Sequence, residues 1–405
     1  MVWNRGRPAG HAPESLTGGV KLSIKGKAFI AGAYEHPGRD LPNLSVMRIH
    51  AECAMGALAD AGLSLGDVDG YFSNGQLGFG GISMAEYLGL SPSYIDSTFT
   101  GGSSYLAHVG HAASAIAAEK CKVALITQGA KVRGVVRGAK LAPDTPEYPF
   151  EHVFGETNAG IYALAARRHM HEFGTTAAQL AAVKVAASEF AQHNPNALLR
   201  KRVSIDDVLT SPMLADPLHR MDCCVVTDGG GALVLVAPEV AKSLKRPCVK
   251  LLGHGEAVKH SGDGRPDLTF TGAVWSGPRA FGEAGVAPAD IDYASIYDSF
   301  TITVLMTLED LGFCKKGQGG AYVADGAALR LGSALPVNTD GGGLCNNHPG
   351  YQGGIVKVVE AVRQLRGEAN PNVQVKNCAL ALAHGTGGGM SRMGSVTLVL
   401  GREDA

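Results

Sequence analysis

Charge is scarce in this sequence and gathers nowhere. Charged residues make up 18% of the 405, the formal net charge is −1, and no run of Lys or Arg stands out. Without a basic stripe the chain lacks the electrostatic footprint of a nucleic-acid binder or a polybasic membrane anchor. Long apolar runs are missing too. None reaches the roughly 20 residues that a membrane-crossing helix needs, so no membrane role is expected. The opening stretch MVWNRGRPAGHAPESLTGG holds no hydrophobic segment of the kind a secretory signal carries. Residues 1–24 read as a flexible polar arm. The eight cysteines form no CxxC pair, and most sit in apolar runs such as MDCCVVTDGGGALVLV. A free thiol there behaves as a small hydrophobe, so a reducing, cytoplasmic setting without disulfides is expected.

Glycine is what the chain has in plenty: 55 residues, against two tryptophans, which calls for many tight turns and close backbone approaches. Its most informative patch is NTDGGGLCNNHPGYQGG at 338–354, followed by the helix-like IVKVVEAVRQL. A glycine run lets backbone N–H groups approach a ligand, and the His-Pro step sets an imidazole just before a helix start. Fixed donors and one titratable ring could then face a developing negative charge. The plain alternative is a turn between a strand and a helix.

The chain also repeats itself. ALADAGLSLGDVDGYF at 57–72 matches AFGEAGVAPADIDYASI from 280 onward, Gly62 with Gly285 and Asp67-Val68-Asp69 with Asp290-Ile291-Asp292, at a constant offset of 223. Each copy reads as a helix ending at glycine, a short loop and a strand. GGSSYLAHVGHAASAIAAEK then leads into CKVALITQGA in the first half, as GYQGGIVKVVEAVRQL leads into CALALAHGTGGG in the second. Opening strands are expected at KAFIAGAYE and CVKLLGHGEAV. Alternating β and α with continuous apolar strands predicts an α/β protein with a largely parallel sheet covered by helices. The halves are expected at 25–240 and 245–405, with an insertion at about 132–212 that covers a cleft. Within it the Ala/Leu/Val spacing of 175–192 is helical, and His193-Asn194-Pro195 ends that helix.

These features together resemble the thiolase superfamily, and within it the sterol-carrier-protein-x type. The resemblance runs from about residue 28 to 400. It is carried by EFGTTAAQLAAVKVAASEFAQHNPNA, ADPLHRMDCCVVTDGGGALVLV, SIYDSFTITVL, GGGLCNNHPGYQGG and HGTGGG. It implies a thiolase fold, two duplicated βαβαβαββ-type halves forming a five-layer αβαβα core plus a loop domain. Members of the family usually attack an acyl-CoA with a cysteine at the start of the first-half helix. Here that place falls on Phe99, and no cysteine occurs from Ser91 to Lys120. The late catalytic cysteine of biosynthetic thiolases is also absent from ALAHGTGGGMS, and Tyr297 stands in SIYDSF where related sequences often carry a histidine.

Acyl transfer through this fold needs a thiolate. Without one, the resemblance implies the thiolase-like aldolases, which cleave a β-hydroxyacyl-CoA by a retro-aldol route. Tyr297 and Tyr351 are the acid/base candidates, each with a packing role as the alternative. His348 is the candidate donor to the thioester oxygen. His384 is a further candidate or a satisfied core histidine. Gly341, Gly342, Gly343, Gly387 and Gly388 are candidate substrate or oxyanion loops, and Asp298 orients a neighbour or caps a helix. Cys345 is the one cysteine in a candidate loop, read as packing more than as a displaced nucleophile. His169 and His171 show no metal-ligand spacing and read as a solvated helix face; no metal is expected. The rivals are a thiolase or acyltransferase using Cys345 or bound CoA, and a non-catalytic thiolase-like subunit. No cofactor is expected beyond the coenzyme A of the substrate. The resemblance further implies a homodimer through the first-half sheets and a small zinc-ribbon/OB-fold partner subunit.

Overall fold

The computed structural model describes residues 23–134, 145, 148, 149, 151, 157–262, 265–324, 326–350 and 353–404. The first half runs β1 (Phe29–Glu35), α1 (Val46–Ala61), β2 (Gly70–Phe72), α2 (Gly81–Leu88), β3 (Tyr94–Asp96), α3 (Ser104–Ala117) and β4 (Val123–Ala130). The helices α4 (Asn158–Phe173), α5 (Ala177–Ala191) and α6 (Ile205–Leu209) follow, with the hairpin β5 (Met213–Ala215) and β6 (Leu218–His219). They are inserted before the closing strand β7 (Gly229–Val236). A short α7 (Pro238–Ala241) leads to β8 (Val249–Lys259), α8 (Ala273–Ala284) and β9 (Tyr293–Ile296). Then come α9 (Thr301–Asp310), α10 (Gly319–Val323), α11 (Gly342–Cys345), α12 (Gly354–Arg366) and the hairpin β10 (Leu380–Gly388) and β11 (Met393–Gly401).

The repeat recurs in geometry. Helix α1 ends on Gly62 at φ 71° and α8 on Gly285 at φ 71°, left-handed positions that favour glycine. A 3₁₀ turn follows each, over Leu65–Asp67 and Pro288–Asp290, and then β2 and β9. In the insertion, α5 opens on a reciprocal cap. The Thr176 N–H donates to Gln179 Oε1 at 2.9 Å while the Thr176 hydroxyl accepts the Gln179 N–H.

The sheet order is β3-β2-β4-β7-β1-β8-β11-β10-β9. The halves meet at β1 and β8 over two residue pairs, Phe29 with Lys250 and Ile30 with Val249. Three apolar cores give five layers. One packs α1 and α2 on the first-half strands. A central one holds α3 and α12 between the two sets of strands. The third packs α8, α9 and the inserted helices on the second-half strands. A largely parallel sheet does not form. β2 pairs in parallel with β3 and β4, and β9 with β10. The closing strands β7 and β11 pair antiparallel with both their neighbours. VALITQGA and GGGALVLV are buried on both faces in either orientation, so their apolar runs carry no sign of direction.

One reading of the inserted region fails. His171 is exposed, but His169 is fully buried, with Nδ1 2.8 Å from Thr175 Oγ1 and Nε2 3.1 Å from Glu309 Oε2 of α9. It ties the insertion to the second half and does not lie on a solvated face.

Candidate functional site

The two halves bring two helix starts together. Gly102, just before α3, and Gly354, the first residue of α12, touch so closely that a Cβ on Gly354 would lie 2.1 Å from Gly102 O. A Cβ on Gly102 would lie 2.4 Å from Thr386 O and 2.6 Å from the Tyr297 hydroxyl. Only glycine fits there. β9 and β10 end on this point, and the Tyr297 N–H donates to His384 O at 2.9 Å.

Phe99 occupies the turn where the family resemblance places a nucleophile, and its ring is 51% exposed. The turn is strongly anchored. Asp96 Oδ1 accepts the Thr98 N–H and hydroxyl at 2.9 and 2.7 Å, and His108 Nε2 lies 3.0 Å from Thr98 O. Asp96 Oδ2 lies 2.7 Å from His111 Nδ1, whose Nε2 is 3.1 Å from Glu256 Oε2 in the other half. Those two carboxylates raise His111 to about 9. Burial alone would raise Asp96, but its hydrogen bonds from His111 and Thr98 outweigh it and hold the carboxyl well below the ordinary range. Nothing in the spacing of these residues marks this bridge in the sequence, because Asp96 and Glu256 are 160 residues apart.

Tyr297 is 4% exposed, and its ring meets that of His348 edge-on, with centroids 5.3 Å apart. Burial pushes the Tyr297 hydroxyl well above its ordinary value, and the Gly353 N–H bonded to it opposes this only in part. Tyr297 is therefore a proton donor at neutral pH and no ready base. His348 is held by its backbone. Its N–H donates to Thr227 Oγ1 at 2.9 Å, and the Thr227 hydroxyl donates to Asn347 Oδ1 at 2.7 Å. Asn347 in turn donates to the buried Glu35 at 2.8 Å. Tyr351 lies outside the described residues.

The glycine run behaves differently from the sequence reading. The N–H groups of Gly341, Gly342 and Gly343 donate to Asn338 O, Asp340 Oδ1 and Asp298 Oδ1 at 3.0, 2.9 and 2.8 Å. All three are spent inside the fold, so in this structure they are not an oxyanion cradle. Their reason is steric: a Cβ on Gly342, at φ 60°, would lie 2.1 Å from Asp298 Oδ2. Asp298 also accepts the Leu344 N–H at 3.1 Å and the Lys357 ammonium at 2.6 Å. It thus caps α11, 45 residues along the chain, and ties that helix to α12. Breaking such a buried pair typically costs about 3–5 kcal/mol. Gly387 and Gly388 do lie at the junction, and a Cβ on Gly101 would be 2.8 Å from Gly387 Cα.

His384 meets Tyr297 through its backbone, but its ring turns away from the Tyr297–His348 pair. It pairs with Ile296 across the sheet and shares its outer face, under α8. Its Nδ1 lies 2.9 Å from Thr397 Oγ1, which meets Ser276 of α8 at 2.9 Å. Burial pushes its pKa down to about 3, so the ring stays neutral. Cys345 is 1% exposed in α11 and burial raises its thiol; the Lys184 ammonium beside it donates to Leu344 O at 2.6 Å. A buried thiol with a raised pKa is a poor nucleophile. Among the described residues no group of three or more His, Cys, Asp or Glu is placed to hold a metal ion, and no helix is long and apolar enough to cross a membrane.

A duplicated five-layer α/β core, with the starts of its two central helices meeting at the strand ends, defines a thiolase-fold protein. Residues 255–402 match the family model described as "Thiolase C-terminal domain-like". The chain is 33% identical over 367 residues to the acetyl-CoA acetyltransferase of Methanothermobacter thermautotrophicus, covering 86% of this chain and 93% of that one. It is 32% identical over 388 residues to the 17-hydroxy-3-oxo-4-pregnene-20-carboxyl-CoA lyase of Mycobacterium tuberculosis, covering 90% and 97%. The solved structure named "Ltp2-ChsH2(DUF35) aldolase" superposes with a TM-score of 0.86 at 30% identity, covering 94% of this chain and 99% of that one. The chain belongs to the thiolase superfamily.

Proposed function

We propose that the chain is an acyl-CoA carbon–carbon lyase that cleaves a β-hydroxyacyl-CoA by retro-aldol chemistry without a covalent cysteine intermediate. One observation carries the reading: the buried, protonated Tyr297 stands beside His348 at the meeting of the helix starts, with Phe99 where the family resemblance places a nucleophile. In the reaction a base takes the β-hydroxyl proton, for which Tyr351 is the sequence candidate. The carbon–carbon bond breaks to a carbonyl product and a thioester enolate. The His348 ring donates to the enolate oxygen, and the Tyr297 hydroxyl protonates its carbon. Proton count is conserved: one leaves the hydroxyl and one arrives at carbon. The similarity to two lyase-type relatives supports this reading, and similarity to an acetyltransferase keeps thiolysis as its rival.

The test is incubation with β-hydroxyacyl-CoA thioesters, with mass spectrometry of products and protein. The shortened acyl-CoA and a ketone or aldehyde are expected, with no acyl group on the protein. Cys345→Ala should keep turnover within several-fold of the parent, since its buried thiol has no part in the chemistry. A loss near 10³-fold with an acyl group trapped on Cys345 would overturn the lyase in favour of the thiolase.

We also infer a homodimer and a small second subunit. The dimer reading is supported at β3, a three-residue strand at the sheet edge. Phe79, Ile82, Ile95 and Phe99 there are 86%, 66%, 42% and 51% exposed, an apolar surface that a second copy would cover. The second subunit is supported by the name of the similar two-protein aldolase. Light scattering of the isolated chain should give a dimer; a fully active monomer at micromolar concentration would sink both assignments.

A further inference from the structure

The hairpin joining β10 to β11 carries Thr386, Gly387 and Gly388 to the candidate site, and Lys259 grips its tip. Lys259 ends β8, opposite Met393 of β11. It is 1% exposed, and its ammonium donates to three backbone carbonyls: Asp267 at 2.5 Å, Phe270 at 2.7 Å and Met390 at 2.7 Å. The same nitrogen lies 4.6 Å from the centre of the Phe270 ring. Among the described residues no carboxylate is bonded to it. Asp267, Asp310 and Lys316 act on it from a distance, and burial pushes it down to about 8. A buried ammonium without a bonded counter-ion costs stability that an apolar chain of the same length would not. Three carbonyls converging on one nitrogen explain why the charge is there. They come from two different segments, and each matches one donor of an –NH₃⁺ group.

Both segments are otherwise poorly supported by regular structure. The loop over 265–271 is held by Asp310, which accepts the Thr271 N–H and hydroxyl at 2.6 and 2.8 Å, and by Lys316, which donates to Thr269 O at 2.9 Å. The hairpin tip closes by the Gly389 N–H donating to Arg392 O at 2.9 Å. On its far side, Ser391 donates to Glu151 of the insertion at 2.6 Å, and Arg392 pairs with the same carboxylate. Gly387 and Gly388 lie directly on the Thr100–Gly101 backbone, and Thr386 O stands beside Gly102 and the Tyr297 hydroxyl. A displaced tip would therefore shift the wall against which Tyr297 is set.

We propose that Lys259 is a positioning residue that staples the β10–β11 hairpin tip to the 265–271 loop and so fixes the Thr386–Gly388 wall of the site against Gly101, Gly102 and Tyr297. Its catalytic consequence rests on the lyase reading; the staple itself does not. The test uses the full chain, as Lys259→Met, which keeps the chain length and removes the donors, and Lys259→Arg, which restores charge and donors. Hydrogen exchange is read by mass spectrometry over 386–392 and 265–271, and turnover is read with a β-hydroxyacyl-CoA. Lys259→Met should speed exchange in both segments by about tenfold or more while α1 and β7 keep the parent's protection. It should lower kcat by about tenfold or more with KM within about threefold, because geometry and not binding is lost. Lys259→Arg should recover part of both effects. Parent-like exchange in 386–392, or exchange that rises throughout the chain, overturns the staple. Should Lys259→Met fail to fold, Lys259→Gln, whose shorter side chain cannot reach all three carbonyls, decides alone: loosening confined to the two segments supports the staple and parent-like exchange refutes it. If exchange changes as expected while the parent cleaves no β-hydroxyacyl-CoA, the staple stands and the lyase reading falls.

Discussion

Tyr297→Phe is expected to fold like the parent and to lose about 10²–10⁴-fold in kcat, the range for a general acid. The substitution removes one oxygen. The ring keeps its place against His348 at 5.3 Å, so packing is preserved. What goes is the proton donor beside Gly102 and an acceptor for the Gly353 N–H. The second loss costs roughly 1–3 kcal/mol of stability, too little to unfold a well-packed domain of this size. Because burial holds Tyr297 well above its ordinary value, no fall of rate near neutral pH should trace to its ionisation. The measurement is steady-state turnover of a β-hydroxyacyl-CoA next to a thermal melt. A variant that turns over like the parent makes Tyr297 a packing ring, and the acid must then be sought elsewhere at the junction.

The difference between what the sequence reveals and what it hides follows from how far each interaction reaches. The 223-residue repeat was legible because Gly62 and Gly285 each end a helix by a local rule, φ near 71°. The absence of cysteine from Ser91 to Lys120 was legible because it needs no fold to be seen. The role of Gly341, Gly342 and Gly343 was not. Whether a glycine run faces a ligand or a neighbouring carboxylate depends on Asp298, 43 residues before the first of them, and only the folded chain brings the two together. The face of His384 depends on strand register, since a shift of one residue would turn its ring from α8 to the central layer. His169 did leave a trace. Tyr162, Ala165, Ala166 and His169 recur at helical spacing and are all buried, so this histidine continued an apolar stripe. Lys184, Lys259 and Lys357 left none. Each is a buried ammonium donating to at least one backbone or carboxylate oxygen far off in sequence, and isolated lysines in a chain look solvated.

His348→Ala should lower kcat by about 10²–10³-fold, the usual cost of one donor to an enolate or oxyanion. The argument turns on how the residue is held. Its place is set by backbone and neighbours: the 348 N–H on Thr227, Thr227 on Asn347, and Asn347 on Glu35. None of these bonds involves the imidazole, so truncation keeps them and removes the ring that meets Tyr297. Stability should fall by no more than the ~1–2 kcal/mol of an ordinary large-to-small change. A purely structural histidine predicts the reverse, with a large drop in melting temperature and turnover unchanged once the protein is folded. Retaining a donor separates the two further. His348→Gln keeps an N–H near the ring's position and should recover about tenfold of the lost rate if donation is the role. If His348→Gln is as impaired as His348→Ala while both melt like the parent, donation to the thioester oxygen is the wrong role. The ring would then act on the β-hydroxyl proton, a step that an amide cannot perform.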